Sequence, residues 1–364
     1  MVRRENCALI PGFILSGAIA LGLSFPAAAQ VRYPAVTPGY DFSFPRDHGA
    51  HPEFRNEWWY ATGWLQTGAG EVLGFQVTFF RTRPDIVTVN PSAFTPRQIL
   101  LAHAAITEAR HGRLQHDQRA ARPALGLAGA SETTTEVWID DWRLSLEGNT
   151  YRTRIPAREF TLELDLTAAS PPLLQGEGGV SRKGKRPGEA SYYYSRPHLQ
   201  VRGTLGRGGS TQSVTGTAWL DHEWSSEYIA SGAAGWDWTG INFADGGALM
   251  AFRMRDRGGG VLWAGGTRRG VDGHVRIFTH GEVGFTPRRT WRSSRPGFDY
   301  PVAMTVSAGG VDYVLDPLMD DQELDSRAST GTIYWEGAVR ATGTDGSSGR
   351  GYLELTGYGA PLRW

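Results

Sequence analysis

The sequence predicts an all-β protein built as two antiparallel barrels in tandem, and three observations carry that expectation. Forty-eight glycines and 20 prolines among 364 residues interrupt nearly every window in which a long helix could run. Strand-length runs alternate apolar and polar side chains, the pattern of a half-buried strand. Turn signals separate these runs at short intervals with no helical pattern between them, the spacing of a barrel or sandwich. The length suits one large β domain or two of ordinary size, each able to bury a core.

In chain order, the first thirty residues read as a secretory signal. Arg3 and Arg4 form a basic start, an apolar stretch runs from Ala8 to Leu23, and Ala27-Ala28-Ala29 offers a small-residue cleavage site. Cleavage after Ala29 makes the mature protein periplasmic or secreted. Pro11, Gly12, Gly17 and Gly22 argue against a retained membrane anchor, and the flanks of Arg3-Arg4 match a twin-arginine signal poorly. Cys7, the single cysteine, falls inside this signal, so the mature chain is expected to have no disulfide, no lipid anchor and no thiol nucleophile.

A Pro-containing leader over 30–43 precedes the first strands. Trp58 to Leu65 and Val72 to Phe80 alternate across a turn at Gly68-Ala69-Gly70, which signals a hairpin. Leu100 to Ile106 and Glu136 to Leu146 give further strand-like runs, the second carrying Trp138 and Trp142. Thr161 to Leu166 sets Leu162, Leu164 and Leu166 on one face. The pattern then collapses from Pro171 to Glu189, where Arg182-Lys183-Gly184-Lys185-Arg186 reads as a solvated loop face. Strands resume at Tyr192 to Val201 and Val214 to Trp224, and the turn Gly206 to Ser210 between them sets the expected boundary. The first barrel then covers 44–208 and the second 209–364. The second half continues with Trp236 to Phe243, Ala248 to Met254 and Val261 to Gly265, and ends in a hairpin of 332–343 with 351–358.

Lysine plus arginine equal aspartate plus glutamate at 37 each, so no global field recruits nucleic acid. Chemistry concentrates where charged residues adjoin tryptophans: NEWWY at 56–60, SYYYSRP at 191–197, WLDHEW at 219–224 and GWDWTG at 235–240. Strand alternation decides which side chains share a face. His222 and Trp224 face one way and Asp221 and Glu223 the other; Trp236 and Trp238 oppose Asp237; Tyr192 and Tyr194 oppose Tyr193; Glu57 and Trp59 oppose Trp58 and Tyr60.

Such faces suit an apolar ligand held by rings, or acid chemistry in which a buried carboxyl protonates an alkene and π faces stabilise the cation. His222, Asp237 and Glu57 are the expected catalytic residues. Trp59, Tyr192, Tyr194, Trp224, Trp236 and Trp238 are the expected ligand contacts. Plain aromatic packing is the competing reading. Metal ligation by His48, His51, Glu53 and Glu57, or by Asp221, His222 and Glu223, is disfavoured because neighbouring strand residues diverge and no HExxH occurs. No metal or other cofactor is expected. The absence of GxSxG from the mature chain speaks against a serine hydrolase.

HPEFRNEWWYATGWL at 51–65, AGA at 128–130, VWIDDW at 137–142, SYYYSRP, TGTAWLDHEWSS, GWDWTGINF, YWEG and GYLELTGY together resemble the secreted lipocalin-like proteins of the carotenoid 1,2-hydratase superfamily. The likeness runs from about Phe44 to the C-terminus. It implies two tandem lipocalin-like barrels with a ligand site near their junction. In the hydratase branch a His-x-Trp pair and a later Tyr-x-Asp pair act on a terminal alkene. His222 and Trp224 match the first, but the strand for the second reads ALMAFRMR at 248–255 and has no carboxylate. Asp221, Glu223, Asp237 or Glu57 then substitutes, or the protein does other chemistry. The resemblance also keeps open a non-enzymatic accessory role, handing a lipid or peptide substrate to or from a membrane partner, an ABC transporter or a membrane donor, and a secreted hydrolase.

Overall fold

The computed structural model describes Met1, residues 31–85, Ser92, Thr95 and residues 97–359. The expected signal from Arg3 to Ala29, with Cys7, lies outside the described residues. Almost all ordered structure is antiparallel strand, divided between a 13-stranded and a 10-stranded sheet. Each sheet curls on itself into a barrel, as the sequence predicts.

The first barrel is organised around three long central strands. Asn56–Thr67 pairs with Val72–Thr82 on one side and with Ser210–Glu227 on the other. Ser210–Glu227 in turn pairs with Ala190–Arg207. Arg119, near one end of the sheet, donates to the Ile139 carbonyl at 3.1 Å near the other, which helps to close the curl. The interior is filled by alternate residues such as Trp59, Phe75, Leu144, Leu162 and Leu220, all buried.

The second barrel runs from Gly235–Phe243 to Ser348–Leu355, and its first and last strands pair with each other. Ile241, Trp335 and Leu353 belong to its interior. Between the barrels lies a third apolar layer. It is made by the outward-facing alternates of both sheets, including Tyr60, Trp64 and Trp219 from the first and Trp238, Phe252 and Tyr352 from the second. Strands buried on both faces explain why so many aromatic residues stand side by side in the sequence.

Two expectations change. The boundary at 208/209 separates Ala190–Arg207 from Ser210–Glu227, yet these strands form one continuous hairpin of the first sheet. The chain passes from one sheet to the other over 228–234. Their ladder, continuous apart from register shifts between Ala190 and Tyr192 and between Arg196 and Leu199, outweighs the Gly-rich turn as a punctuation mark. Likewise Glu136 to Leu146 is two strands, Glu136–Ile139 and Trp142–Glu147, because Asp140 adopts a φ of 53° and reverses the chain. Aspartate tolerates this left-handed region better than most residues.

Candidate functional site

Alternation along the central strands sorts the expected site residues into three places. Glu57 lies opposite Trp224 and Trp59 opposite His222. Tyr192 lies opposite Trp224 and Tyr194 opposite His222. These six therefore share the inner face of the first barrel, and all are buried. The segment from Val36 to Phe54 straps across them, seating Tyr40, Phe42 and Phe54 against Tyr192 and Trp224.

Glu57 is the hub of a buried polar network. His222 Nε2 and His51 Nδ1 lie 2.9 and 2.8 Å from its Oε1, and Arg81 Nε donates to its Oε2 at 2.8 Å. The His51 amide donates to both oxygens. Burial alone would raise the Glu57 carboxyl, but Arg81, His51 and the His222 hydrogen bond hold it well below the usual carboxylate range. Burial keeps His222 below the ordinary imidazole value against the pull of Glu57. His222 Nδ1 meets the Tyr194 hydroxyl at 3.1 Å, and that hydroxyl meets His48 Nδ1 at 2.7 Å. Trp224 stacks on His51 at 3.7 Å and Trp59 on His222 at 4.8 Å.

His51, Glu57 and His222 offer donor atoms within 4.8 Å of one another, the one such group of metal-ligand type among the described residues. Arg81 and the His51 amide already occupy the carboxylate, so the arrangement works as a hydrogen-bonded keystone between strap and barrel. It leaves Glu57 little capacity for a substrate.

Asp237 sits apart, inside the second barrel. Arg253 Nε and Arg255 Nε donate to its two oxygens at 2.6 and 2.9 Å, and the Tyr358 hydroxyl donates at 3.0 Å. It fixes a pair of arginines and does not join His222.

Trp236 and Trp238 face the other way, into a cavity between the barrels. One wall comes from the outer face of the first sheet, with Trp58, Tyr60, Phe80, Asp221 and Glu223. The opposite wall comes from the second sheet, with Phe252, Met254, Tyr334, Glu336 and Glu354, and Tyr228 of the connecting segment closes one side. Phe252 and Met254 are the two residues of the ALMAFRMR strand that face this space. The cavity is narrow, about 90 Å³, so only a slender group enters it fully.

Its carboxyls are buried or half-buried. Asp221 accepts from Ser195 Oγ at 2.5 Å, Trp219 Nε1 at 2.6 Å and the Tyr193 hydroxyl at 2.7 Å. Burial still pushes its carboxyl up to about 7 against those bonds. Glu223 pairs with Lys183 at 2.8 Å and accepts from Ser191 Oγ. Lys183, expected on a solvated loop face, is thus buried, with its ammonium 4.3 Å from the Phe252 ring centre. An ion pair beneath an aromatic ring outweighs the solvent preference of a basic run.

The carboxyls least expected from the sequence are the most telling. Glu336 and Glu354 stand directly opposite each other on the Ile333–Gly343 and Ser348–Leu355 strands, and Glu354 is also opposite Trp238. Burial raises both; the charge of Glu354 adds to the rise of Glu336 and those of Asp221, Glu223 and Asp237 to the rise of Glu354, while the nearby Tyr60 and Tyr334 hydroxyls partly offset it for Glu336 and the Trp236 indole for Glu354. Glu336 Oε1 and the Tyr60 hydroxyl make no well-formed hydrogen bond. The signal for this pair was present in YWEG and GYLELTGY, where Tyr334 alternates with Glu336 and Tyr352 with Glu354. What was missing was the register that sets the two glutamates side by side.

A family model described as AttH-like matches residues 35–358. Among solved structures, a candidate AttH from Nitrosomonas europaea is 52% identical over 89% of this chain and 99% of its own, with a TM-score of 0.85. Kievitone hydratase from Nectria haematococca shares 15% identity over 89% of this chain and 95% of its own, with a TM-score of 0.68. CghA shares 14% identity over 89% and 96%, with a TM-score of 0.52. The last two show the two-barrel fold alone. No curated protein matches the chain.

Proposed function

The chain belongs to the AttH-like family, and on that footing we propose that its junction cavity holds the slender end of an apolar isoprenoid or acyl molecule and hydrates or isomerises a double bond there. The observation that carries this reading is the Glu336–Glu354 pair, raised above ordinary carboxyl values and set against Trp238 and Tyr60 in an apolar space. A neutral carboxylic acid at neutral pH is what alkene protonation requires.

The reaction balances on these residues and water. A carboxyl of the pair gives its proton to one alkene carbon, the π electrons form the new C–H bond, and positive charge develops on the neighbouring carbon. The rings of Trp236, Trp238 and Tyr60 stabilise that charge. In hydration, a water oxygen forms the C–O bond and yields a proton to the carboxylate, restoring the pair. In isomerisation, the carboxylate instead takes a proton from an adjacent carbon and the double bond re-forms there. Because charge is buried only as it develops, the site favours the transition state over the bound alkene.

Export belongs to the same reading, with the mature chain beginning near Gln30. The test is titration of tryptophan fluorescence with isoprenoid alcohols, polyenes and fatty acyl chains, followed by mass analysis for products that gain one water or shift a double bond. Turnover by the wild type and a loss of about 100-fold in Glu336→Gln or Glu354→Gln is expected. Quenching by no unsaturated ligand, or full turnover in both variants, would overturn the proposal.

A further inference from the structure

The charge balance of the junction cavity points to the kind of molecule it holds. Five carboxyls border it, from Glu57, Asp221, Glu223, Glu336 and Glu354, against two cationic side chains. Arg81 is spent on Glu57 and on the carbonyls of His51 and Phe54. Lys183 is spent on Glu223. Asp221 is satisfied by the neutral donors Ser195, Tyr193 and Trp219. Among the described residues, no lysine or arginine lies within ion-pair distance of Glu336 or Glu354.

Buried carboxyls without a cation are costly to a fold, which ordinarily pairs them or replaces them with apolar residues. Here Glu336, only 3% exposed, keeps an oxygen without a well-formed hydrogen bond, and it lines the cavity. The Tyr60 hydroxyl beside it likewise makes no well-formed hydrogen bond. Around these groups stand the rings of Trp58, Tyr60, Trp236 and Trp238. Indole and phenol faces joined to carboxylates form the environment that receives an alkylammonium, whose charge is spread over its N-methyl surface. A bound ammonium would draw a proton off these carboxyls and pair with the carboxylate left behind, whereas an anionic chain end would find no unspent cation on either wall.

We propose that the junction cavity binds a lipophilic ammonium ion, a tertiary or quaternary amine on a slender apolar chain, in preference to a neutral or acidic molecule of the same length. The inference rests on the reading that this cavity takes an apolar chain end, and it deepens that reading. The groups that would stabilise a cation formed from an alkene also hold a permanent one, so an ammonium in place of the reacting carbon is the site's natural inhibitor.

The experiment uses the full mature chain at pH 7 and three ligands below their micellar concentrations: dodecyltrimethylammonium, dodecanol and dodecanoate. Binding is read by tryptophan fluorescence and checked by calorimetry. Dodecyltrimethylammonium is expected to bind at least about 10-fold more tightly than dodecanol, with dodecanoate weakest. In the double variant Glu336→Gln/Glu354→Gln the ammonium advantage should fall below about 3-fold while dodecanol affinity stays within about 2-fold of wild type. Retained dodecanol binding shows that the variant cavity is folded. Equal binding of all three ligands, or an ammonium preference unchanged in the double variant, overturns the cationic assignment and leaves the apolar cavity standing. Binding of none of the three removes both.

Discussion

Residue by residue, the protein separates charges that hold the fold from charges kept in reserve. Glu57 and Asp237 are paired with arginines and serve architecture, whereas Glu336, Glu354 and Asp221 face the cavity without a cation. That difference has a sign in the pH dependence of stability. Unfolded carboxyls titrate near pH ~4, while in the fold Asp221 rises to about 7 and the Glu336–Glu354 pair is also raised. Their contribution is therefore present at low pH and lost as pH climbs through the folded values. His48 and His103, each held near 3 by burial, act oppositely, but only below the unfolded histidine value of about 6.5. His51, raised by Glu57 and Asp47 against burial, acts in the carboxyls' direction. Between pH 6.5 and 8 the carboxyl effect thus stands clear. The melting temperature should drop across that window, and Glu336→Gln/Glu354→Gln should flatten the drop; a wild-type melting temperature that rises there contradicts the assignment. At this scale the sequence was readable as far as alternation reaches. It placed His222 with Trp224, and Glu57 with Trp59, on one face. It could not say that this face is a sealed interior, or that Asp221 and the later glutamates own the open one.

At the level of elements, the strap from Val36 to Phe54 is the clearest departure from a simple run of hairpins. It has almost no regular structure, yet Asp47 ties it together, accepting from the Tyr40 hydroxyl at 2.9 Å and the Ser43 amide at 2.7 Å. Phe54 packs edge-on to Tyr192, and its carbonyl accepts from Arg81. Phe54→Ala should cost about 3 kcal/mol in urea unfolding and speed amide exchange at 191–195; a loss under about 1 kcal/mol would mean the strap only decorates the barrel. The hairpins were legible because a Gly-containing turn between two alternating runs leaves few other foldings. The strap was not, since its seating on the barrel comes from bonds to residues more than a hundred positions away, such as the Thr37 amide to the Tyr192 hydroxyl. Lys183 escaped for the same reason, its partner Glu223 lying on another strand.

For the whole molecule, the decisive contact is barrel against barrel. Trp64 Nε1 donates to the Gly351 carbonyl at 3.0 Å, and Arg340 and Arg350 lie 5.0 and 5.1 Å from its ring centre. Gly74 permits the close approach, because a Cβ there would sit 2.7 Å from both Ala338 Cβ and the Tyr352 hydroxyl. Trp64→Ala should cost about 3–5 kcal/mol and split a single calorimetric transition into two; one sharp transition with unchanged midpoint would show that the barrels are held elsewhere. The double-sided burial of the central strands also has a consequence during synthesis. The first barrel is complete once Glu227 has left the ribosome, but its outer aromatic face stays bare until the second barrel has been made. At roughly 5–20 residues per second that interval is on the order of ten seconds, long enough for a chaperone to recognise the half-made cavity wall as a client.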